Sequence, residues 1–330
     1  MNRLLLPFLL LTFATQAQNI LRVNNNLGIN APYTTISAAI AAAGVNDIIM
    51  VEGSITAYDN IIITKKVKIV GPGYYLLENL NLQGSPSSAS LASITLAVGS
   101  DGSSFYGLNV TGGFGNGDNV QTNNITISNC RIGGLTLSGD SNHFFISGCY
   151  ITGNLVFSNV SEYTSAIVSN NYIGGFGQGS GTTLVTLTQN VIGGGISAGF
   201  NCDLRNNILT GTSFGGLNGS VIKNNVFTVT QASLSGSGAT VDNTNVFSAL
   251  TSTLFIGLAG NTTDTQWKLK IGSPAIGSGV SGEDCGMYGG NTPYRPSGIQ
   301  VGQPTITNIT TPASVQQNGT LNVKVSAKVN

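Results

Sequence analysis

The stretch NNITISNCRIGG (123–134) returns in altered form down the chain: YTSAIVSNNYIGG (163–175), TTLVTLTQNVIGG (182–194), NCDLRNNILTG (201–211) and GSVIKNNVFTV (219–229). Each copy has alternating apolar residues, then a small polar pair, then an aliphatic or aromatic pair. Aligned on the second residue of the polar pair, the column reads Cys130, Cys149, Asn171, Asn190, Asn207, Asn225 and Asn245. Successive separations are 19, 22, 19, 17, 18 and 20 residues. A period near 20 with strand-like alternation predicts a solenoid whose coils are short strands.

The neighbouring columns carry that reading. Two places after the reference stand Ile132, Ile151, Ile173, Ile192, Leu209, Phe227 and Phe247, all apolar. Three places before it stand Ile127, Ile146, Val168, Leu187, Leu204 and Ile222, until Asp242 breaks the column. Between them Ser128, Ser147, Ser169, Thr188, Arg205, Lys223 and Asn243 are all polar. Side chains alternate across a strand, so the apolar columns are expected to face inward and to stack as ladders. Asn tolerates left-handed backbone angles, so the reference column is read as a sharp bend whose side chains bond from coil to coil. At Cys130 and Cys149 a small buried thiol fills that place. Packing and a disulfide are both open there, with free thiols favoured because parallel stacked strands hold the Cβ atoms slightly too far apart.

Composition agrees. The 330 residues include 45 glycines, 41% are hydrophobic and 8% charged, which suits many short strands joined by tight turns around a sizeable core. Equal numbers of acidic and basic side chains leave no positive field to hold nucleic acid. Residues 1–17 pair one Arg with the apolar run Leu4–Phe13 and the small, polar ATQA, the pattern of a secretory signal peptide cut after Ala17. That run is too short to span a bilayer, which takes about 20 residues, and no other apolar run is long enough to span. The four cysteines, Cys130, Cys149, Cys202 and Cys285, match no zinc spacing, and a single histidine cannot complete a Cys/His site. No metal or cofactor is expected. GNGDN (115–119) and GGFGQGSG (174–181) lack the carboxylates of a calcium loop and the lysine of a phosphate loop, so they read as turns.

The segments SNNYIGG, RNNILTG and KNNVFTV resemble the coils of the pectate-lyase-like right-handed parallel β-helix superfamily, asparagine ladder included. Residues 33–73 are similar to that superfamily's opening, in which a short helix precedes the first strands. Here Thr34 or Thr35 can cap a helix through 36–43, which would cover the open end of the solenoid. Residues 267–294 resemble its last coils. The expected architecture is therefore all-β: a signal peptide at 1–17, a right-handed parallel β-helix with an N-terminal capping helix at 18–292, and a C-terminal strand tail at 293–330. From Asp47 to Gly290 there is room for about 11–12 coils, a rod on the order of 50 Å. LQGSPSSASLAS (82–93) reads as a loop. Leu321, Val323, Val325, Ala327 and Val329 alternate in the tail, as a strand docked on the rod or as an export or attachment signal.

The resemblance implies activity on acidic polysaccharides, with catalytic groups on the first strand of each coil. Those strands correspond to 134–140, 154–160 and 194–200, whose outward residues include Thr136, Val156 and Ser197. None of these moves a proton at neutral pH, so no catalytic residue is assigned. Asp140, His143 and Glu162 could meet only through loops. Two surface groupings are candidate carbohydrate sites. Arg131, Tyr150 and Tyr172 lie one place past the reference on consecutive coils, as a sugar-stacking platform or as rings that simply stabilise the ladder. Asp203, Arg205 and Lys223 share one outward face, as an ion pair or as a site for a sugar carboxylate. The expected function is an exported, non-catalytic protein associated with carbohydrate or the cell surface. The alternatives are a polysaccharide lyase or other glycan-active enzyme with a loop-built site, and a structural or adhesive protein without a small ligand.

Overall fold

The structure, a computed structural model, describes residues 18–117, 120–138, 141–158, 164–179, 183–197, 199–299 and 304–329. The signal-peptide reading of 1–17 and the loop residues Asp140 and Glu162 lie outside them. The chain is an all-β parallel solenoid of about nine turns. Each turn lays one strand on an 11-stranded sheet and a bent strand, or two short ones, on a 12-stranded sheet.

The alternation read from the sequence is the packing rule. Leu21, Ile49, Ile69, Phe105, Ile127, Ile146, Val168, Leu187, Leu204, Ile222 and Val241 follow one another in register along the inside of the first sheet. Val241 holds the place opposite Ile222, so the break at Asp242 is a one-residue shift and the ladder continues. Ile132, Ile151, Ile173 and Ile192 stack in register on the second sheet, and each has no accessible surface. Each buried side chain of this kind contributes about 2 kcal/mol, and the stack joins them in one core.

The polar pair divides two tasks that the sequence had placed on one residue. The left-handed bend falls on its first member: Asn129, Asn170, Asn206 and Asn224 have φ between 53° and 56°, and Gly148 and Gln189 occupy the same place at 63° and 56°. The second member points inward and builds the ladder. Asn171 Nδ2 donates to Asn190 Oδ1 at 3.0 Å, Asn190 to Asn207 at 3.0 Å, Asn207 to Asn225 at 2.9 Å and Asn225 to Asn245 at 3.1 Å. Each Oδ1 also accepts the backbone N–H of the ladder residue one coil earlier, at 2.8–3.0 Å. A short-chain amide supplies donors and acceptor together, so a buried polar column is fully satisfied.

The glycine that closes the repeat makes the next corner. At Gly174, Gly194 and Gly211 an added Cβ would sit 1.9–2.4 Å from a carbonyl oxygen of the preceding coil. Only glycine lets the backbones approach so closely.

Helix α1 (Ile36–Ala42) covers the N-terminal end, burying Ile36, Ala39 and Ile40. Thr35 caps it by accepting from Ala38 N at 3.2 Å, and Asp59 accepts from Ile36 N and Ser37 N at 2.8 and 3.0 Å. The stretch 82–93 is irregular until Ser90–Leu91, which pairs in the second sheet.

The coils are fewer than the 11–12 expected because residues 249–298 leave the winding path. They carry short helical turns and pack as a strap along the outside of the rod, so 267–294 are not final coils. The strap is tied to the polar-pair corner. Asn170 Nδ2 donates to Gly289 O at 2.8 Å, Gly286 N to Asn206 O at 2.8 Å, and Val280 N to Asn206 Oδ1 at 2.9 Å.

Tyr294 and Ser297 are buried within the strap, and the first strand described beyond it is Pro304–Thr310. Pro304–Thr310 pairs antiparallel with Lys324–Val329, and the chain meets the rod through Gly84 N donating to Ile306 O. Leu321, Val323, Val325 and Val329 are at least half exposed, so their alternation does not dock the tail on the coils.

Candidate functional site

After the glycine corner the second sheet presents two outward files. One runs Gly115, Thr136, Val156, Gly177, Ser197 and Gly215 in register. The other begins Gly113, Gly134, Asn154 and Gly175. Between Asn154 and Ser213, where large side chains are missing, the surface sinks into a groove of about 480 Å³, floored by Gly175, Gly177, Gly194 and Gly195 and lined also by Asn154, Val156, Gln178, Ser197 and Ser213. No acidic, basic or thiol side chain lines it among the described residues. Thr136 and Ser197 are exposed, and Val156 is half-buried, so the outward reading of these positions holds. His143 is exposed, lies in a left-handed turn at φ 60°, and its backbone N donates to Ser165 Oγ at 3.3 Å.

Many glycines here are forced by packing, but some are not. A Cβ on Gly115 would meet Thr136 O at 2.0 Å. A Cβ on Gly113 or Gly215 would meet nothing within 4 Å, and on Gly134 only Asn154 O at 3.9 Å. None of these three has positive φ. Gln178 is 4% exposed, and its Nε2 has no hydrogen-bond partner among the described residues. Its Oε1 faces the Cys202 thiol at 3.3 Å.

The aromatic column stacks as its spacing implied. Tyr150 and Tyr172 are register partners with centroids 4.6 Å apart and planes 17° apart, and Tyr172 stacks on Trp267 at 4.7 Å. It is not an open platform. Tyr150 is 4% exposed, its hydroxyl accepts from Trp267 Nε1 at 3.1 Å, and burial pushes its pKa up. Arg131 is spent on Asn109 Oδ1 at 3.0 Å and on the Tyr75 hydroxyl at 3.1 Å. The same file continues through Val191, Ile208 and Val226, all buried beneath Leu254, Phe255, Ala275 and Met287 of the strap. That apolar continuation is the sequence signal for a covered seam. Read over seven coils, it separates a strap-binding file from a sugar platform.

Arg205 Nε bonds Asp203 Oδ1 at 2.6 Å, and Lys223 lies opposite Arg205 on the next coil. The three residues are together as the register predicted, but on the first sheet, away from the groove files. The Arg205 guanidinium already has its carboxylate. Such an exposed pair contributes about 0.5 kcal/mol.

Cys130 and Cys149 fill the first two ladder places as free buried thiols, as do Cys202 and Cys285 at their own sites. Burial pushes the Cys149 and Cys202 thiols up to about 12 and Cys285 up to about 11. At pH 8 a thiol with a pKa near 12 is ionised to only about one part in ten thousand. The native protein is therefore expected to leave all four thiols unreacted with an aromatic disulfide reagent at pH 8. All four should react within minutes in denaturant. Rapid native labelling of even one would show that its coil opens.

Among the described residues no group of His, Cys, Asp and Glu could hold a metal ion, and no helix is long and apolar enough to cross a membrane. The chain matches no protein-family model and has no significant match among curated proteins.

Proposed function

We propose that the protein is an exported, non-catalytic carbohydrate-binding solenoid that holds a polysaccharide along the glycine-floored groove. The right-handed winding and the placing of ligands on this face follow from the resemblance to pectate-lyase-like β-helices. The observation that carries the reading is the lining of the groove itself, with glycine at 174, 175, 177, 194 and 195 and no charged side chain. A bare floor is useful where a ligand must approach the backbone closely. Gln178 supports it with a buried amide N–H group at the groove that has no partner among the described residues, the kind of donor that a bound hydroxyl would satisfy. The absence of charge in the lining favours neutral hydroxylated ligands.

The test is a binding screen of residues 18–330 against neutral and uronate-containing polysaccharides. Ser197→Ala is expected to keep both stability and binding. Ser197 is exposed in the groove lining, and Ser197→Trp should keep the melting temperature and lose at least tenfold in affinity. If Ser197→Trp binds as wild type does, the groove is not the site. Formation of an unsaturated product from any uronate polymer would instead establish the lyase alternative.

A further inference from the structure

We propose a second ligand site, for an anionic sugar residue, in the cleft between the outer face of the first sheet and strap residues 291–295, with Arg295 as its counter-ion. The inference rests on the carbohydrate reading above for the class of ligand, but on different residues. The cleft is about 570 Å³ and opens to solvent. Its floor carries Phe145 and Ile167, register partners on adjacent coils, each 45% exposed. Alongside runs a hydroxyl file, Ser128, Ser147 and Ser169, also in register, with Ser128 Oγ and Ser147 Oγ 3.0 Å apart. Apolar surface beside a row of neutral hydroxyls matches the two faces of a pyranose, C–H groups on one side and hydroxyls at the rim.

Arg295 supplies the charge preference. Arg295 lines the cleft, and among the described residues no acidic side chain does. It is half-buried, yet takes no part in either ion pair of the described residues, Arg22–Glu52 and Arg205–Asp203, and makes no side-chain hydrogen bond there. Its backbone is held on both sides. The Tyr294 hydroxyl lies 2.7 Å from that of Tyr74, and Ser297 N donates to the buried Asp264 carboxylate at 2.7 Å. A partly desolvated guanidinium on a fixed backbone is prepared for a planar or tetrahedral oxyanion, and it loses little freedom on binding one. The anion site expected at Arg205 is thus already neutralised by Asp203, whereas Arg295 has no carboxylate partner among the described residues.

Calorimetric titration with three matched oligosaccharides tests this: a neutral glucan fragment, its glucuronate-containing counterpart and its sulfate ester. At low salt at least one anionic form is expected to bind at least tenfold more tightly than the neutral one, and the two arms tell carboxylate from sulfate. Arg295→Gln should abolish that preference with an unchanged melting temperature, since the side chain makes no ion pair or hydrogen bond among the described residues. Arg295→Lys should retain part of it, and Phe145→Ser should weaken the anionic ligand several-fold. A preference that is absent, or that survives Arg295→Gln, overturns the proposal. Ser197→Trp separates the two sites, since Ser197 lines the groove and not the cleft. Loss of neutral binding alone leaves the cleft standing, and anionic binding without any neutral binding would sink the groove but not the cleft.

Discussion

Asn207→Ala is expected to destabilise the protein by about 4 kcal/mol and to lower its melting temperature by about 10 °C. The side chain sits mid-ladder with no accessible surface. Its Oδ1 accepts from Asn190 N at 2.9 Å and Asn190 Nδ2 at 3.0 Å, and its Nδ2 donates to Leu187 O at 2.7 Å and Asn225 Oδ1 at 2.9 Å. Truncation leaves at least the Asn190 N–H and the Leu187 carbonyl buried without that partner, and each such orphan costs about 1–3 kcal/mol. Asn245→Ala is the control: it stands at the end of the ladder, is 9% exposed, and should cost less than half as much. Thermal unfolding by circular dichroism reads both. A shift below 3 °C for Asn207→Ala would mean that the column is spacing and not bonding.

The second large effect belongs to the strap. Asp264 has no accessible surface, and four neutral donors surround its carboxylate. Ser297 N lies at 2.7 Å, Thr262 Oγ1 at 2.7 Å, the Tyr294 hydroxyl at 3.3 Å and Asn79 Nδ2 at 3.5 Å. These bonds close 262–297 onto the turn at 74–79, and Tyr288 adds a bond to the Asp264 carbonyl at 2.9 Å. Hydrogen bonds to a buried charge contribute about 1.5–3 kcal/mol each. Asp264→Ala is therefore expected to cost the strap about 4 kcal/mol and to open it locally, while the coils beneath keep their own core. Trp267, the single tryptophan, reports the event because it stacks on Tyr172 and donates to Tyr150. Its emission should shift to the red and the strap should become cleavable by protease, with far-ultraviolet strand signal preserved. Asp264→Asn should fall between, since the amide keeps the shape but turns a donor towards other donors. Unchanged tryptophan emission in Asp264→Ala would show that the apolar seam, not the carboxylate, holds the strap.

The candidate site was legible in part. Thr136, Val156 and Ser197 could be placed on the outward face from parity alone, because a strand alternates whatever surrounds it. The groove beside them could not, since it depends on how little side chain adjacent coils contribute together. Tyr150 and Tyr172 were placed correctly against each other, but parity cannot tell an outward ring that meets solvent from one that meets a strap. Arg205 and Asp203 were rightly paired because two positions on one strand share a face. Arg295 was out of reach: no periodic pattern includes it.

What the chain determined by itself was the winding unit: the strand alternation, the inward ladders, the asparagine column and the capped helix, read over 36–43 and found at Ile36–Ala42. All of these follow from preferences within one coil or between coils some 20 residues apart, where sequence spacing and spatial spacing coincide. What only the tertiary structure decided was which outward file is covered, where the coils stop, and which charges remain unpaired. Those outcomes rest on contacts such as Tyr74 with Tyr294, 220 residues apart, whose partners are brought together by the stacking of every coil between them.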